Sequence, residues 1–115
     1  QKRDIEVQKV ITVDAKILKL AVWDNERVDG DKISLSLNGR WILRNYEIVK
    51  EKNLFEIELI PNQVNQLVFF AENLGTIPPN TSAINIQYEG YNKTHIMRSN
   101  LDKSGSINFF FEEAE

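Results

Sequence analysis

Hydrophobic and polar residues alternate with a period of two along most of the chain. The clearest instance runs from Lys32 to Asn38, with Ile33, Leu35 and Leu37 on one side and Lys32, Ser34, Ser36 and Asn38 on the other. Successive strand residues point to opposite faces, so this is the pattern of a half-buried strand. Asn38-Gly39 follows, the dipeptide that best tolerates the two positive φ angles of a type I′ turn, and then Arg40, Trp41, Ile42 and Leu43. The segment is predicted to form a tight antiparallel hairpin.

The same pattern organises the rest. Ile5, Val7, Val10, Ile11 and Val13 mark a first strand whose period skips after Val7, which predicts a bulge or break near Gln8. Lys16 to Trp23 and Gln66 to Glu72 are apolar on both faces over much of their length, as central strands are. Leu43 and Tyr46 close the fourth strand, and the charged turn from Lys50 to Asn53 leads to a fifth, with Phe55, Ile57 and Leu59 on one face and Glu56 and Glu58 on the other. Pro61-Asn62 ends that strand, because proline cannot donate to the ladder. Asn73 to Thr81 reads as a rigid loop, stiffened by two consecutive prolines. Ile84, Ile86 and Tyr88 form a seventh strand, Glu89-Gly90 turns into an eighth that sets Tyr91, Lys93, His95 and Met97 on one face, and Ile107, Phe109 and Phe111 form the last. One helical turn is placed between Asn100 and Ser104, and residues 1–4 and 112–115 are expected to fray.

About eight or nine short strands without a helix of useful length predict an all-β fold, an antiparallel β-sandwich with Greek-key, immunoglobulin-like connections, as one domain over residues 1–115. A small barrel is the competing architecture. At 115 residues the chain can bury a core without disulfides or a structural metal. The absence of cysteine removes a disulfide framework and thiolate zinc sites and leaves the compartment open. A net charge of −3 favours neither nucleic acid nor an anionic membrane. The longest apolar run falls short of the roughly 18 residues of a membrane span, so no membrane insertion is expected. A start at Gln1 suggests a processed chain or a domain of a longer one.

Candidate chemistry centres on the turn before the hairpin. Asp24, Asn25, Asp29 and Asp31 place four oxygen-bearing side chains within eight residues, with Gly30 allowing a sharp bend. They could supply part of a calcium shell of six to eight oxygens. The spacing is not that of an EF-hand, since Arg27 and Ser36 stand where that motif wants an oxygen ligand and a glutamate. Asx-turns use the same residues without a metal and are the cheaper reading. No other cofactor is implied. His95, the single histidine, has no sequence partner for general-base work, and Glu56 and Glu58 are more simply an exposed strand face, so an enzyme is not expected. Trp23, Trp41, Tyr46, Tyr88 and Tyr91 offer material for a binding platform, with Trp41 and Tyr91 as the candidate ligand residues. The competing expectation puts both tryptophans in the core, where large aromatics usually sit in small domains. Asn80-Thr81-Ser82 and Asn92-Lys93-Thr94 match the glycosylation acceptor pattern.

The stretches WDNERVDGDKISLSLNG, Trp23 to Gly39, and LVFFAENLGTIPPNTSAINI, Leu67 to Ile86, in this order and spacing, resemble a small β-sandwich module that recurs in secreted and envelope proteins of some Gram-negative bacteria. The similarity covers most of residues 16–111, and Glu26 stands where relatives have glycine. The resemblance implies a place outside the cytoplasm, in the periplasm, at the cell surface or secreted, within a larger protein or assembly. The expectation is a non-catalytic binding or scaffold module whose partner is a protein or a surface glycan, the alternative being a carbohydrate-binding accessory domain of a hydrolase. Both motifs are oxygen-rich loops after strands that look central. The Asp24 to Asp31 loop is therefore expected beside Glu72 and Asn73, joined by hydrogen bonds or a calcium ion.

Overall fold

A computed structural model describes residues 4–24, 30–73 and 80–113. Its nine described strands are β1 (Asp4–Val13), β2 (Ile17–Trp23), β3 (Lys32–Leu37), β4 (Arg40–Glu47), β5 (Asn53–Glu58), β6 (Val64–Ala71), β7 (Asn80–Tyr88), β8 (Tyr91–Ser99) and β9 (Lys103–Phe111). They form a five-stranded sheet in the order β1-β9-β6-β3-β4 and a four-stranded sheet in the order β5-β2-β7-β8. β2 and β6 are interior strands, as their apolar character on both faces predicts.

The connections are immunoglobulin-like once β7 and β8 are set aside. β2 pairs with β5 in one sheet, and β3, β6 and β9 lie side by side in the other, as strands B with E and C, F and G do in that fold. The β7–β8 hairpin is inserted between β6 and β9 and fills the free side of β2. One pairing departs from an all-antiparallel sandwich: β1 runs parallel to β9, from Asp4 beside Lys103 to Val13 beside Phe111. A parallel pair needs a crossover between its strands, and here all the intervening strands supply it.

The core follows the alternation. Leu18, Leu20 and Val22 of β2, Ile33 and Leu35 of β3, Leu67 and Phe69 of β6, Ile84 and Ile86 of β7, and Ile107 and Phe109 of β9 interleave between the sheets. Each buried Leu, Ile, Val or Phe contributes about 1.5–3 kcal/mol relative to exposure. The register of β1 against β9 shifts between Val7 and Lys9, which puts the bulge at Gln8 as the sequence pattern requires. Asn38 and Gly39 have φ of 52° and 82°, and Leu37 pairs with Arg40 across them, so the hairpin turn has the two positive φ angles of type I′.

Two local expectations are corrected. Asn100 to Ser104 is not helical: Asn100 Oδ1 accepts hydrogen bonds from the N–H groups of Asp102 (2.8 Å) and Lys103 (2.7 Å), an Asx-type turn that leads straight into β9. Asp4, expected to fray, is held in β1, its N–H donating to the Asp102 carbonyl at 3.1 Å. The remaining terminal residues expected to fray, 1–3 and 114–115, lie outside the described residues, and Glu113 is tied by its N–H to Asn62 Oδ1 at 3.1 Å. Among the described residues no helix is long and apolar enough to cross a membrane.

The outer face of the five-stranded sheet departs from the simple alternating picture. Ser34, Ser36, Ser104 and Ser106 point away from the core yet are buried. Register explains it: Ser106 lies between Val7 and Val68, and Ser36 between Val68 and Trp41. The small hydroxyls fill the gaps under taller apolar side chains of the neighbouring strands, a fit that depends on side-chain size.

Candidate functional site

The acidic turn sits where β2 ends and β3 begins. Asp24 and Asp31 are 4% and 2% exposed. Their backbones are pinned to one segment after β4, with Asp24 N–H donating to the Val49 carbonyl (2.7 Å) and Ile48 N–H donating to the Asp31 carbonyl (2.9 Å). Gly30 has φ of 84°, so it supplies the bend the sequence assigns to it. Of the candidate calcium ligands, Asn25 and Asp29 lie outside the described residues. Asp24 and Asp31 are brought to the same end of the sandwich, and among the described residues no three carboxylate or imidazole side chains converge as a metal-binding group.

Two asparagines tie this turn to the end of β6. Asn73 accepts the Lys32 N–H on Oδ1 (2.8 Å) and donates from Nδ2 to the Gly30 carbonyl (3.1 Å). Asn80 donates from Nδ2 to the carbonyls of Lys32 (3.0 Å) and Asn73 (3.1 Å), and Glu72 N–H donates to the same Lys32 carbonyl (2.8 Å). Ser34 Oγ donates to Glu72 Oε2 and accepts the Asn45 N–H (2.9 Å), at a position where Asn45 has φ of 53° and bulges β4. The described ends of the two motif stretches, Gly30 to Lys32 and Glu72 to Asn73, therefore lie side by side as expected, joined by hydrogen bonds, while residues 25–29 and 74–79 lie outside the described residues. Asn80, which opens one of the two acceptor-type triplets, is 2% exposed, and both its amide hydrogens are engaged.

The aromatic candidates do not form one platform. Trp41 lies on β4 of the five-stranded sheet and Tyr91 on β8 of the four-stranded sheet. The expectation that both tryptophans are core is overturned. Trp41 is 48% exposed and Trp23 only partly buried, because both project from outer sheet faces, opposite Ser36 and Ala83 respectively. The Trp41 ring meets Phe70 edge-on at 5.3 Å, with the Arg44 guanidinium 4.8 Å from its centroid. Tyr91 stacks on Tyr88 at 4.9 Å with rings 5° from parallel, packed against the core, and burial and then Tyr88 push its hydroxyl above the usual 10.0.

His95 lies on the core side of β8, and its Nε2 is buried without a hydrogen-bond partner among the described residues. Burial, then Lys9 and Lys93, lower its pKa below the ordinary 6.5, so the neutral ring is favoured. Glu56 and Glu58 are exposed on the outer face of β5, and Glu58 pairs with Lys16 at 3.4 Å.

A polar groove on the outer face of the four-stranded sheet, with Lys19, Asn85, Gln87 and Asn92 among its lining, carries no ligand-binding motif, although Asn92 also opens the Asn92-Lys93-Thr94 triplet. The alternation of Asn85 and Gln87 with Ile84 and Ile86 carries the only signal, because it assigns them a solvent face without naming the strands beside it. No family model matches the chain, and no curated protein or solved structure matches it.

Proposed function

We propose that this chain is a non-catalytic binding module that works outside the cytoplasm within a larger protein or assembly, and that it meets a protein partner with the outer face of its five-stranded sheet. The observation that carries the reading is the setting of Trp41. It is half exposed and held between Phe70 and Arg44, and the same face carries the exposed Ile5, Val7 and Val10 of β1. Tryptophan and arginine are the residue types most enriched among the anchors of protein interfaces. A ring already fixed by its neighbours loses little freedom on binding. The extracytoplasmic setting is supported by the likeness of the two loop motifs to secreted and envelope modules.

The test is site-specific photocrosslinking in the source cells. A crosslinker at position 41 captures one discrete protein partner, a crosslinker at Leu54 on the opposite sheet does not, and Val10→Asp abolishes the capture. Equal labelling from both positions, or none from position 41, would refute the reading.

A further inference from the structure

We propose a second binding site, for a neutral saccharide, on the outer face of the four-stranded sheet. The register lays two rows of side chains across this face. One runs Leu54, Ala21, Asn85, Thr94 and the next Glu56, Lys19, Gln87, Asn92. Ala21 is short and its neighbours are not, so the sheet carries a groove of about 500 Å³ with an alanine floor. That volume lies within the range of small-ligand sites, about 300–1,000 Å³.

The chemistry of the walls selects the ligand. Asn85 donates both amide hydrogens, to Asn92 Oδ1 (2.7 Å) and Thr94 Oγ1 (3.1 Å), which fixes the amide and leaves its Oδ1 to accept. Gln87 and the Asn92 amide nitrogen add donors and acceptors, Lys19 adds a donor, and Glu56, in register with it, adds an acceptor. A phosphate would want donors alone and a cation acceptors alone. A hydroxyl both donates and accepts, and a groove alternating the two at strand spacing fits a row of ring hydroxyls. Leu54, 73% exposed at the rim, and the Ala21 methyl offer apolar contact for the C–H face of a sugar ring. At the same groove, Lys52 holds its ammonium 4.8 Å from the Trp23 ring centroid. Lys19 and Glu56 stand opposite each other in register and offset one another, so the row of side chains that a ligand would follow carries no net charge, while Lys52 is drawn to the Trp23 ring. Apart from Glu56, which also lines a recess beside Trp41, this site shares no residue with the Trp41 face, and the variants at Asn85 and Gln87 let each proposal fail alone.

The experiment is an NMR titration of the full 15N-labelled chain with cellohexaose, xylohexaose, mannohexaose, maltohexaose and chitohexaose, and with a hexagalacturonate and inorganic phosphate as anionic arms. At least one neutral hexasaccharide is expected to bind with Kd below about 1 mM. It should move the side-chain amide signals of Asn85, Gln87 and Asn92, and Asn85→Ala and Gln87→Ala, the latter at an exposed position, should each weaken it about tenfold or more. Trp41→Ala should leave the titration unchanged. The proposal is overturned if no neutral sugar shifts those signals at about 10 mM, if Gln87→Ala binds as well as the parent, or if the anionic arms bind more tightly than every neutral one.

Discussion

The side-chain amide of Gln8 pairs with the backbone of Arg98 as a peptide group would, donating from Nε2 to the carbonyl at 2.8 Å and accepting the N–H on Oε1 at 3.2 Å. Gln8 is the bulge residue of β1 and Arg98 lies on β8, so this pair joins the edge of one sheet to the edge of the other. Gly105 makes the room: a Cβ there would meet Gln8 Nε2 at 2.6 Å and the Arg98 carbonyl at 2.8 Å. The bulge thus aims a side chain at the open flank of the sandwich.

Two substitutions test the clasp. Gln8→Leu leaves both Arg98 groups unmet and should cost about 1–2 kcal/mol, tempered by their access to water. Gly105→Ala should cost about 1–3 kcal/mol through crowding. Chemical denaturation measures both, and the Arg98 amide should lose hydrogen-exchange protection in each. Full protection in Gln8→Leu would show that the clasp contributes nothing.

The acidic turn is held by Asn73 and Asn80 through backbone groups of Gly30 and Lys32. Asn73→Ala and Asn80→Ala should each destabilise by about 1–3 kcal/mol, and because they share a network the double variant should cost less than the sum. A thermal melt with EDTA and with millimolar calcium decides whether the turn also holds an ion. Calcium at about 100 times its dissociation constant adds about 2.7 kcal/mol to native-state stability. A rise in Tm that Asp31→Asn removes establishes a calcium site at Asp24 and Asp31. An unchanged Tm leaves the asparagine network as the whole fastening.

The serines of the outer face should behave as packing residues. Ser106→Leu, despite its place on the face away from the core, should destabilise by about 1–3 kcal/mol because Val7 and Val68 leave no space for it. Ser106→Ala should change stability far less. Equal stability of the leucine and alanine variants by urea denaturation would show that the neighbouring side chains simply move aside.

His95 sets a pH dependence. Its folded pKa lies below 6.5, so the unfolded chain binds the proton more readily. Stability should therefore fall as pH drops below 6.5 toward the folded value and be retained above 6.5. The fall should be shallower in His95→Gln than in the parent over the same range, read as Tm against pH. Parallel curves would assign the acid sensitivity to other groups.

The strands, the bulge at Gln8 and the Asn38-Gly39 turn were legible because each depends on local chemistry: the period of two, a skipped beat, positive φ. The approach of Gly30 to Asn73 was legible because both segments flank strands that read as central. What escaped depends on which strands become neighbours. Trp41 was expected inside because tryptophan is large and apolar, but its position opposite Ser36 sets it on the outer face. Ser34 and Ser106 look like solvent-facing residues until Val7, Val68 and Phe70 are known to flank their strands. The Asn80 triplet matches an acceptor pattern, and the sequence gives no sign that the Asn80 amide holds the Lys32 and Asn73 carbonyls. The groove is the same case, since Ala21 becomes a floor only between Leu54 and Asn85.

The parallel pairing of β1 with β9 gives the molecule a mechanical direction. The chain enters this pair beside Lys103 and leaves it beside Phe111, at opposite ends of the ladder. Tension applied across those two points would slide one strand along the other, straining the ladder bonds together instead of peeling them apart one after another. Forced unfolding is governed by the unfolding rate, and a ladder loaded in shear raises that barrier. A module pulled at these two points would carry traction along the length of the β1–β9 ladder.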